Sequence, residues 1–523
     1  MWKRRNVAWR WPKPYKCWVT ETMRALLLTI TCLLAIGSAQ ATEYSVAINH
    51  GRVIDPETGL DAIRHVGIQG DRIIAVSATP LDAAETIDAS GLVVSPGFID
   101  LHTHSPTQLG QYYQLFDGVT TALELEAGTF PVSSYGGAIR DNPLINFGAS
   151  AGYLNMRLQE KNGLVMSGDS EMPSPQGLKG WYTALMFLLT DFQTALQDSF
   201  AEEADADERE NLRALLEEGL EEGGLGIGLA LDYVSEAVND AELRMIFEVA
   251  ASRDAPIFVH IRRGINGDPS GLREVIALAE STGVSVHICH ISHNAMRNIE
   301  LFLAEIEQAR QRGVDITTEV LPYNAGSTAI SAAVFGRDWQ TIFNISYEDV
   351  EWAATGERFN QAMFEEYREK YPEGAVIHHY LQEEWTLRAI QEPGVMIVSD
   401  MIPMKTREEL VPPHNGAFTR ILGRYVREQG ALDLPTALAK MTLLPAQRLE
   451  SYAPAFTRKG RLQPGMDADI TVFDPDTVID RATYRDPYQE AEGISHVIVN
   501  GSAVVRNGKM IEGVYPGRRI LNR

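Results

Sequence analysis

Residues 92–104 read LVVSPGFIDLHTH, an apolar run that ends in two histidines one residue apart. In a β-strand alternate side chains share a face, so His102 and His104 point the same way. Two imidazoles side by side at the end of a hydrophobic strand can bind one metal ion together. Core packing gives no reason to choose histidine twice, so this stretch predicts a strand that opens a metal site.

Seven more strand-like runs follow, with helical patterns between them. With FIDLHTH as the first, the others are TTALELE (120–126), LINFGAS (144–150), GLGIGLALDY (224–233), PIFVHIR (256–262), VSVHICHIS (284–292), DITTEVLPY (315–323) and VMIVSD (395–400). Eight strands that alternate with helices predict an α/β fold, a TIM-like (β/α)8 barrel. An open doubly wound sheet is the alternative, but no GxGxxG lies between a strand and a helix.

Short alternating segments punctuated by Gly and Asp occupy both ends of the chain, which indicates β-strands and tight turns. We therefore expect residues 42–93 and 455–523 to form one small β-sandwich domain. The barrel then spans 94–454. An insertion at about 324–394 is too long for a simple loop and is rich in aromatic residues, so we interpret it as a lid.

Residues 23–41 have a basic start, a short apolar run and an Ala39-Gln40-Ala41 cleavage pattern. This predicts that residues 1–41 are a secretory signal-peptide region, that the protein is secreted to the periplasm, and that cleavage leaves no stable membrane anchor. An uncleaved anchor or a buried helix is the alternative reading.

The formal net charge is −24, and loss of residues 1–41, which carry seven Lys/Arg and one Glu, makes it −30. So acidic a chain is not expected to bind nucleic acid. Cys17 and Cys32 lie in the discarded segment, so Cys289 remains alone and no intramolecular disulfide is expected. We predict a small-molecule partner; the sequence does not specify an oligomeric state.

Potential metal ligands close several of the predicted strands, where a TIM barrel carries its chemistry. They are His102 and His104 on the first, Glu124 and Glu126 on the second, His260 on the fifth, His290 on the sixth and Asp400 on the eighth. Four histidines with carboxylates suit zinc, one or two ions per chain, better than calcium or magnesium. Glu126 is the predicted bridge between two ions, with Glu124 as the alternative.

Asp400 ends the apolar run VMIVSD and is the predicted catalytic acid and base. It can take a proton from water and pass it to a leaving amine, while the metal polarises a carbonyl; the predicted reaction is metal-assisted hydrolysis. His293, just past the sixth strand, is a predicted substrate contact. His287 and Cys289 alternate away from His290 and are expected to be packed.

Several motifs together resemble the amidohydrolase superfamily and, within it, the N-acyl-D-amino-acid deacylases, especially the N-acyl-D-glutamate deacylase branch. They are PGFIDLHTH, FDGVTTALELEAG, VHIRRG, HICHIS, GAFTRILGRYVRE, ALAKMTLLPAQRLE and KGRLQPGMDADITVFDP. The resemblance runs from about Tyr44 to the C-terminus. It implies a barrel with a terminal β-sandwich, zinc on His102, His104, His260 and His290, Asp400 as general acid and base, and Tyr233 beside the substrate carboxylate.

The chain departs from the family pattern at three places. Ala127 falls where many relatives have a bridging cysteine, Asn294 or its neighbours fall where many have a lysine, and Val411-Pro412-Pro413 replaces an HPR motif that grips the substrate carboxylate. If the substrate has a free carboxylate, another cation is expected to bind it. Our prediction is Arg262; Arg263, Lys405 and Arg407 are the other candidates.

The expected activity is zinc-dependent hydrolysis of a linear amide, first of all deacylation of N-acyl-D-amino acids such as N-acyl-D-glutamate. The loss of HPR favours a rival, in which the same residues act on a cyclic amide or a D-residue dipeptide. A second rival is a barrel without catalysis that only binds its ligand.

Overall fold

A computed structural model describes residues 44–166, 174–189, 196–372, 374–408 and 411–523; the predicted signal peptide lies outside these residues. All eight predicted barrel strands are present, and each is parallel to the next. They are Phe98–Asp100, Val119–Thr129, Asn146–Gly152, Ile227–Ala230, Ile257–His260, Val286–Ile288, Ile316–Val320 and Val395–Ile397. The predicted fold class is confirmed.

The barrel closes between its first and eighth strands, just beyond the strand ends. The backbone N–H of Asp400 donates to the carbonyl of His102 at 2.8 Å, and the N–H of His104 donates to the carbonyl of Met401 at 2.8 Å. Closure satisfies backbone groups that an edge strand would expose. It also brings three predicted site residues from opposite ends of the barrel sequence into contact.

Helices surround the barrel. The longer ones are Gln108–Phe116, Tyr153–Asn162, Gly177–Leu189, Ala206–Glu221, Asp240–Ser252, Ser270–Thr282, Ile299–Gln311, Glu383–Gln391, Leu434–Met441 and Leu443–Glu450. The acidic run 202–210 begins one of them, because Asp205 caps Ala206–Glu221 in a reciprocal capping box with Glu208. Within the part of the chain described, no helix has the length and apolarity that a membrane span requires.

Strands from both termini form one nine-stranded sheet. The N-terminal strands are Tyr44–Asp55, Leu60–Gln69, Arg72–Ser77, Ala83–Asp88 and Val93–Pro96; the C-terminal ones are Ile470–Phe473, Ile494–Val499, Ser502–Arg506 and Lys509–Met510. Their inward side chains share an apolar cluster that includes Val53, Val94 and Ile470. The sheet is joined directly to the barrel. Its strand Val93–Pro96 pairs with Ile470–Phe473 and is followed, after one residue, by the first barrel strand, Phe98–Asp100.

The last residues of the chain return to the barrel rather than staying with the terminal sheet. The N–H of Phe147 donates to the carbonyl of Arg518 at 3.0 Å, and the N–H of Ile520 donates to the carbonyl of Phe147 at 2.8 Å. Ile520 is buried in the main core. Residues 511–523 read IEGVYPGRRILNR and lack the regular alternation of a strand, so this pairing could not be predicted from the sequence.

The insertion between the seventh and eighth strands has its own small sheet, with strands Gly326–Ala329, Val350–Trp352 and Ala375–His378. Helices Trp339–Phe343 and Gln361–Lys370 pack on it through an aromatic cluster centred on Phe364. We call residues 326–380 the roof. The predicted insertion, 324–394, also takes in helix Glu383–Gln391, whose Ala389 and Ile390 belong to the barrel core.

Candidate metal centre

Glu126 lies between two pairs of histidines. Its Oε2 is 3.2 Å from Nε2 of His102 and 3.6 Å from Nε2 of His104, while its Oε1 is 2.9 Å from Nδ1 of His260 and 2.8 Å from Nε2 of His290. Each carboxylate oxygen thus faces one histidine pair, and each trio has the donor spacing of a metal site. This is the arrangement that the bridging prediction for Glu126 requires.

A bulge in the second barrel strand places Glu126 there. Pairing with the third strand shifts register between Glu124 and Thr129, and Gly128 in this interval has a positive φ of 63°. A Cβ on Gly128 would lie 2.5 Å from Oγ of Ser150 and 2.8 Å from the backbone of Gly152. Only glycine fits this bend, which ends the regular pairing beside Glu126.

Asp400 completes the half of the centre formed by the first strand. Its Oδ1 is 3.3 Å from Nε2 of His104 and 3.5 Å from Nε2 of His102. Asp400 and His290 both have a positive φ, 50° and 32°. Such backbone costs about 1–3 kcal/mol per residue and tends to occur at functional sites.

Carboxylates hold the first two histidines from behind. Nδ1 of His102 lies 2.5 Å from Oε1 of Glu319, and Nδ1 of His104 lies 2.7 Å from Oε2 of Glu124. These contacts leave the Nε2 atoms facing the centre of the site, as histidine ligands commonly are held. The structure therefore places Glu124, the alternative bridge, behind His104.

Sequence reasoning missed Glu319, although a signal was available. It is a charged residue within the buried strand Ile316–Val320, and such a group needs a partner. Its Oε2 lies 2.9 Å from Nε2 of His287, whose Nδ1 lies 2.7 Å from Oγ1 of Thr317. His287 is buried and supports the site indirectly, in agreement with the expectation that it is packed.

The buried charges of the site are those a cation would balance. Burial lowers the pKa of His102, but Glu126, Asp400 and Glu319 outweigh burial and hold that pKa well above its ordinary value. Burial likewise raises the pKa of Asp400, but His102 and His104 outweigh it and keep the carboxylate ionised. Without a metal, imidazolium charge must compensate these carboxylates; a zinc ion supplies the same positive charge to the same donor atoms.

Cys289 is buried near His102 and Glu319. Burial raises the pKa of its thiol well above the ordinary range, so the group stays protonated. This agrees with the prediction that Cys289 is not a nucleophile.

A cavity of about 400 Å³ opens over the metal centre. His104, Glu126, His260, His290 and Asp400 line its floor, and roof residues such as Thr328, Ala329 and His378 line the opposite side. Its size is that of a small-molecule site. The insertion therefore covers the cavity, as the interpretation of a lid requires.

Two of the predicted substrate contacts line this cavity. The ring of Tyr233 is 5.4 Å from the ring of His260, and burial raises the pKa of its hydroxyl. The ring of His293 is 6.0 Å from that of His290, and burial holds its pKa well below the ordinary value, so the imidazole is neutral. A neutral imidazole and a phenol can both donate a hydrogen bond to a substrate oxygen.

The structure contradicts the prediction for Arg262. Its guanidinium contacts the carboxylate of Glu274 and the carbonyl of Val238 and does not line the cavity. Arg263 lines the cavity instead. The strand Ile257–His260 ends before both residues, so strand alternation no longer decides which arginine points inward.

The other two candidate cations do not line the cavity. Lys405 and Arg407 are exposed, and Arg407 lies over the rings of Tyr112 and Tyr113 at 5.8 Å. At the departure from HPR, the nearby His414 is buried, and its Nδ1 lies 2.8 Å from the carbonyl of Asp400. The segment that contains this departure from HPR therefore contacts the backbone of Asp400 through His414.

Asn294 occupies one of the departures from the family pattern. Its Nδ2 donates to the carbonyl of Cys289 at 3.0 Å and lies 3.4 Å from Nδ1 of His290. The amide therefore steadies the loop that follows the sixth strand. It offers the cavity no positive charge.

Comparisons with known proteins all find amidohydrolases. The model of the amidohydrolase family matches residues 93–504. An N-acyl-D-glutamate deacylase of Alcaligenes xylosoxydans xylosoxydans is 30% identical over 504 residues, 88% of this chain and 94% of that protein. A D-aminoacylase of the same organism is 29% identical over 92% of this chain and 99% of its own length.

Among solved structures, this chain resembles the N-acyl-D-glutamate deacylase of Bordetella bronchiseptica, with a TM-score of 0.72 and 27% identity. The match covers 92% of this chain and 100% of that protein. That enzyme was crystallised with zinc and a phosphonate inhibitor that mimics the tetrahedral intermediate of its reaction.

Proposed function

From the premise that the chain belongs to the amidohydrolase family, we propose that it is a zinc-dependent deacylase of N-acyl-D-amino acids. One observation carries the proposal: Glu126 lies between two histidine pairs at the floor of a cavity, with the ionised Asp400 beside it. A barrel that only bound a ligand would not need to keep this donor set together. The substrate is a small amide, and the relatives' names indicate its class.

The donor set fits one or two zinc ions. His102, His104 and Asp400 would hold one, His260 and His290 the other, with Glu126 shared. Zinc supplies a Lewis acid that polarises the amide carbonyl and lowers the pKa of water.

Asp400 moves the protons. The carboxylate accepts a proton from the attacking water as the new C–O bond forms, and it delivers that proton to the nitrogen as the C–N bond breaks. The products are a carboxylic acid, which releases its remaining proton to solvent, and a free amine. Tyr233 and His293 face the same space and can donate to the substrate's oxygen atoms.

We also propose that the enzyme works in the periplasm. The supporting observation is the basic, apolar and small-residue pattern of residues 23–41. The test is N-terminal sequencing of the protein isolated from a periplasmic extract, which should begin at residue 42. A protein found in the cytoplasm with its N-terminus intact would contradict the proposal.

The test of activity is a panel of substrates with the zinc-loaded protein: N-acetyl-D-amino acids, their L-enantiomers, a hydantoin as cyclic amide, and a D-residue dipeptide. We expect the N-acetyl-D-amino acids to be hydrolysed fastest. Faster hydrolysis of the hydantoin or the dipeptide would replace the proposal with that rival.

Asp400→Asn should lower kcat by about 10²–10⁴-fold, the usual contribution of a general acid and base. Asp254→Asn is the matched control, because Asp254 also has a φ of 50° but is exposed. Equal activity of the two variants would remove Asp400 from the mechanism.

A further inference from the structure

Arg263 is the only lysine or arginine that lines the cavity among the residues that the structure describes. We propose that its guanidinium is the receptor for the substrate's α-carboxylate, and that the enzyme prefers N-acyl amino acids with an uncharged side chain over N-acyl-D-glutamate. This inference rests on the proposed deacylase function and narrows its substrate class.

The first support is the charge balance around Arg263. The nearest carboxylate in the cavity wall, Asp232, is already engaged by Arg337, with N–O distances of 2.9 and 3.0 Å. Asp232 also accepts the backbone N–H of Arg263 at 2.9 Å. No carboxylate among the described residues lies within 4.0 Å of the Arg263 guanidinium, so Arg263 makes no direct ion pair, although Asp232 and Glu126 are close enough for their negative charges to act on it.

The second support is the hydrogen-bonding state of the guanidinium. Nε of Arg263 is buried and has no partner. Its Nη2 atom makes one long contact, 3.4 Å from Nε2 of His260. The central carbon of the guanidinium lies 5.2 Å from the ring centre of Phe343. A planar fork with free donors binds a carboxylate through two parallel hydrogen bonds.

The position of Arg263 indicates which carboxylate of the substrate it would bind. Arg263 is adjacent to His260, one of the candidate ligands, so it lies close to the scissile amide. The α-carboxylate is two bonds from the amide nitrogen, and the side-chain carboxylate of glutamate is farther away. Arg263 therefore matches the α-carboxylate.

Among the described residues that line the cavity, a second carboxylate would find no further lysine or arginine. The side of the roof that faces the cavity presents the small, uncharged Ser327, Thr328, Ala329 and Ala375, together with Tyr380 and with His378, whose pKa burial lowers to about 3 so that the ring is neutral. Burying a carboxylate there without a partner is unfavourable. An uncharged side chain fits this surface without that penalty.

The experiment uses the zinc-loaded full chain with three substrates: N-acetyl-D-leucine, N-acetyl-D-leucinamide and N-acetyl-D-glutamate. Wild type should prefer leucine to both others. Arg263→Gln should lose about 100-fold in kcat/KM for N-acetyl-D-leucine, mainly through KM, because a buried charge pair is broken. It should change the rate with leucinamide little, and Arg263→Lys should restore part of the loss.

Arg262→Gln is the matched control, because the neighbouring guanidinium points away from the cavity. An equal loss in both variants, or an unchanged ratio of leucine to leucinamide in Arg263→Gln, would overturn the assignment. Preference of the wild type for N-acetyl-D-glutamate would overturn the single-carboxylate conclusion.

Calorimetry with N-acetyl-D-leucine separates this inference from the proposed function. Binding to Asp400→Asn should weaken when Arg263→Gln is added, even if no substrate is turned over. Failure of wild type to hydrolyse any amide would reject the deacylase, whereas unchanged binding in the double variant would reject Arg263 as the receptor.

Discussion

The floor and the roof of the cavity are built on different principles. The floor is built from the ends of five barrel strands, the first, second, fifth, sixth and eighth, whose polar side chains meet around Glu126. The roof is an inserted sheet with its own aromatic cluster, and it turns mostly small or uncharged side chains toward the cavity. We therefore expect the floor to carry the reaction and the roof, together with Arg263, to determine which substrates can enter.

This difference explains how a chain can match its relatives in the floor and depart from them around the substrate. Metal ligands must keep their distances to a few tenths of an ångström, because each donor atom serves a common ion. A substrate carboxylate can be gripped from several directions, since any suitably placed cation serves. Loss of the HPR motif therefore need not disturb the metal centre.

The largest expected effect is loss of metal in Glu126→Ala. Removal of the shared carboxylate takes one donor from both histidine pairs, so we expect about two zinc ions per chain to fall to one or fewer, with loss of activity. Elemental analysis of the mature protein measures this. One zinc ion in both wild type and variant would mean that Glu126 is not a bridge.

A smaller effect on zinc binding is expected for Glu319, which supports His102 from outside the cavity. Glu319→Gln should weaken zinc binding or activity by about 10–100-fold, because the carboxylate orients His102 and raises its basicity. Glu351→Gln is the control in the roof, since Glu351 is also buried but contacts His379. Zinc titration of the apo-protein compares them; equal affinities would show that Glu319 does not tune the floor.

In the roof, Ala329→Leu should change selectivity and leave metal content intact. The larger side chain narrows the cavity, so KM for N-acetyl-D-amino acids with bulky side chains should rise by about tenfold relative to those with small ones. A loss of zinc in this variant would mean that roof and floor are not separable.

The smallest effect concerns pH. Burial lowers the pKa of His378 in the roof to about 3. Between pH 6.5 and about 3 the unfolded chain binds a proton at this residue that the folded chain does not, so the free energy of unfolding falls as the solution is acidified.

His378→Phe should remove that dependence while keeping the aromatic stack on Tyr380. Unfolding of wild type and variant between pH 7 and 4 measures the difference. Parallel pH curves would show that His378 does not contribute to acid sensitivity.

Local sequence patterns were sufficient to predict the barrel and the floor. Parallel strands that are buried on both faces appear as apolar runs, and a polar side chain at the end of each run lies at the same edge of the barrel. All eight strands could be found in this way, and His102, His104, Glu126, His260, His290 and Asp400 converge as their spacing indicated.

The directions of side chains beyond the strand ends could be seen only in the folded protein. The period of a strand cannot choose between Arg262 and Arg263 once the strand has ended, so only the fold showed which arginine faces the cavity. The same holds for His414 and for the chain end near Ile520, whose partners are distant in sequence.

The physical reason is the range of the interactions involved. Alternation in a strand is local and can be read from a few residues, whereas the direction of a loop side chain depends on packing against elements far along the chain. In this protein the metal-binding side chains could therefore be predicted from local pattern, whereas the position of Arg263 in the cavity was visible only in the assembled fold.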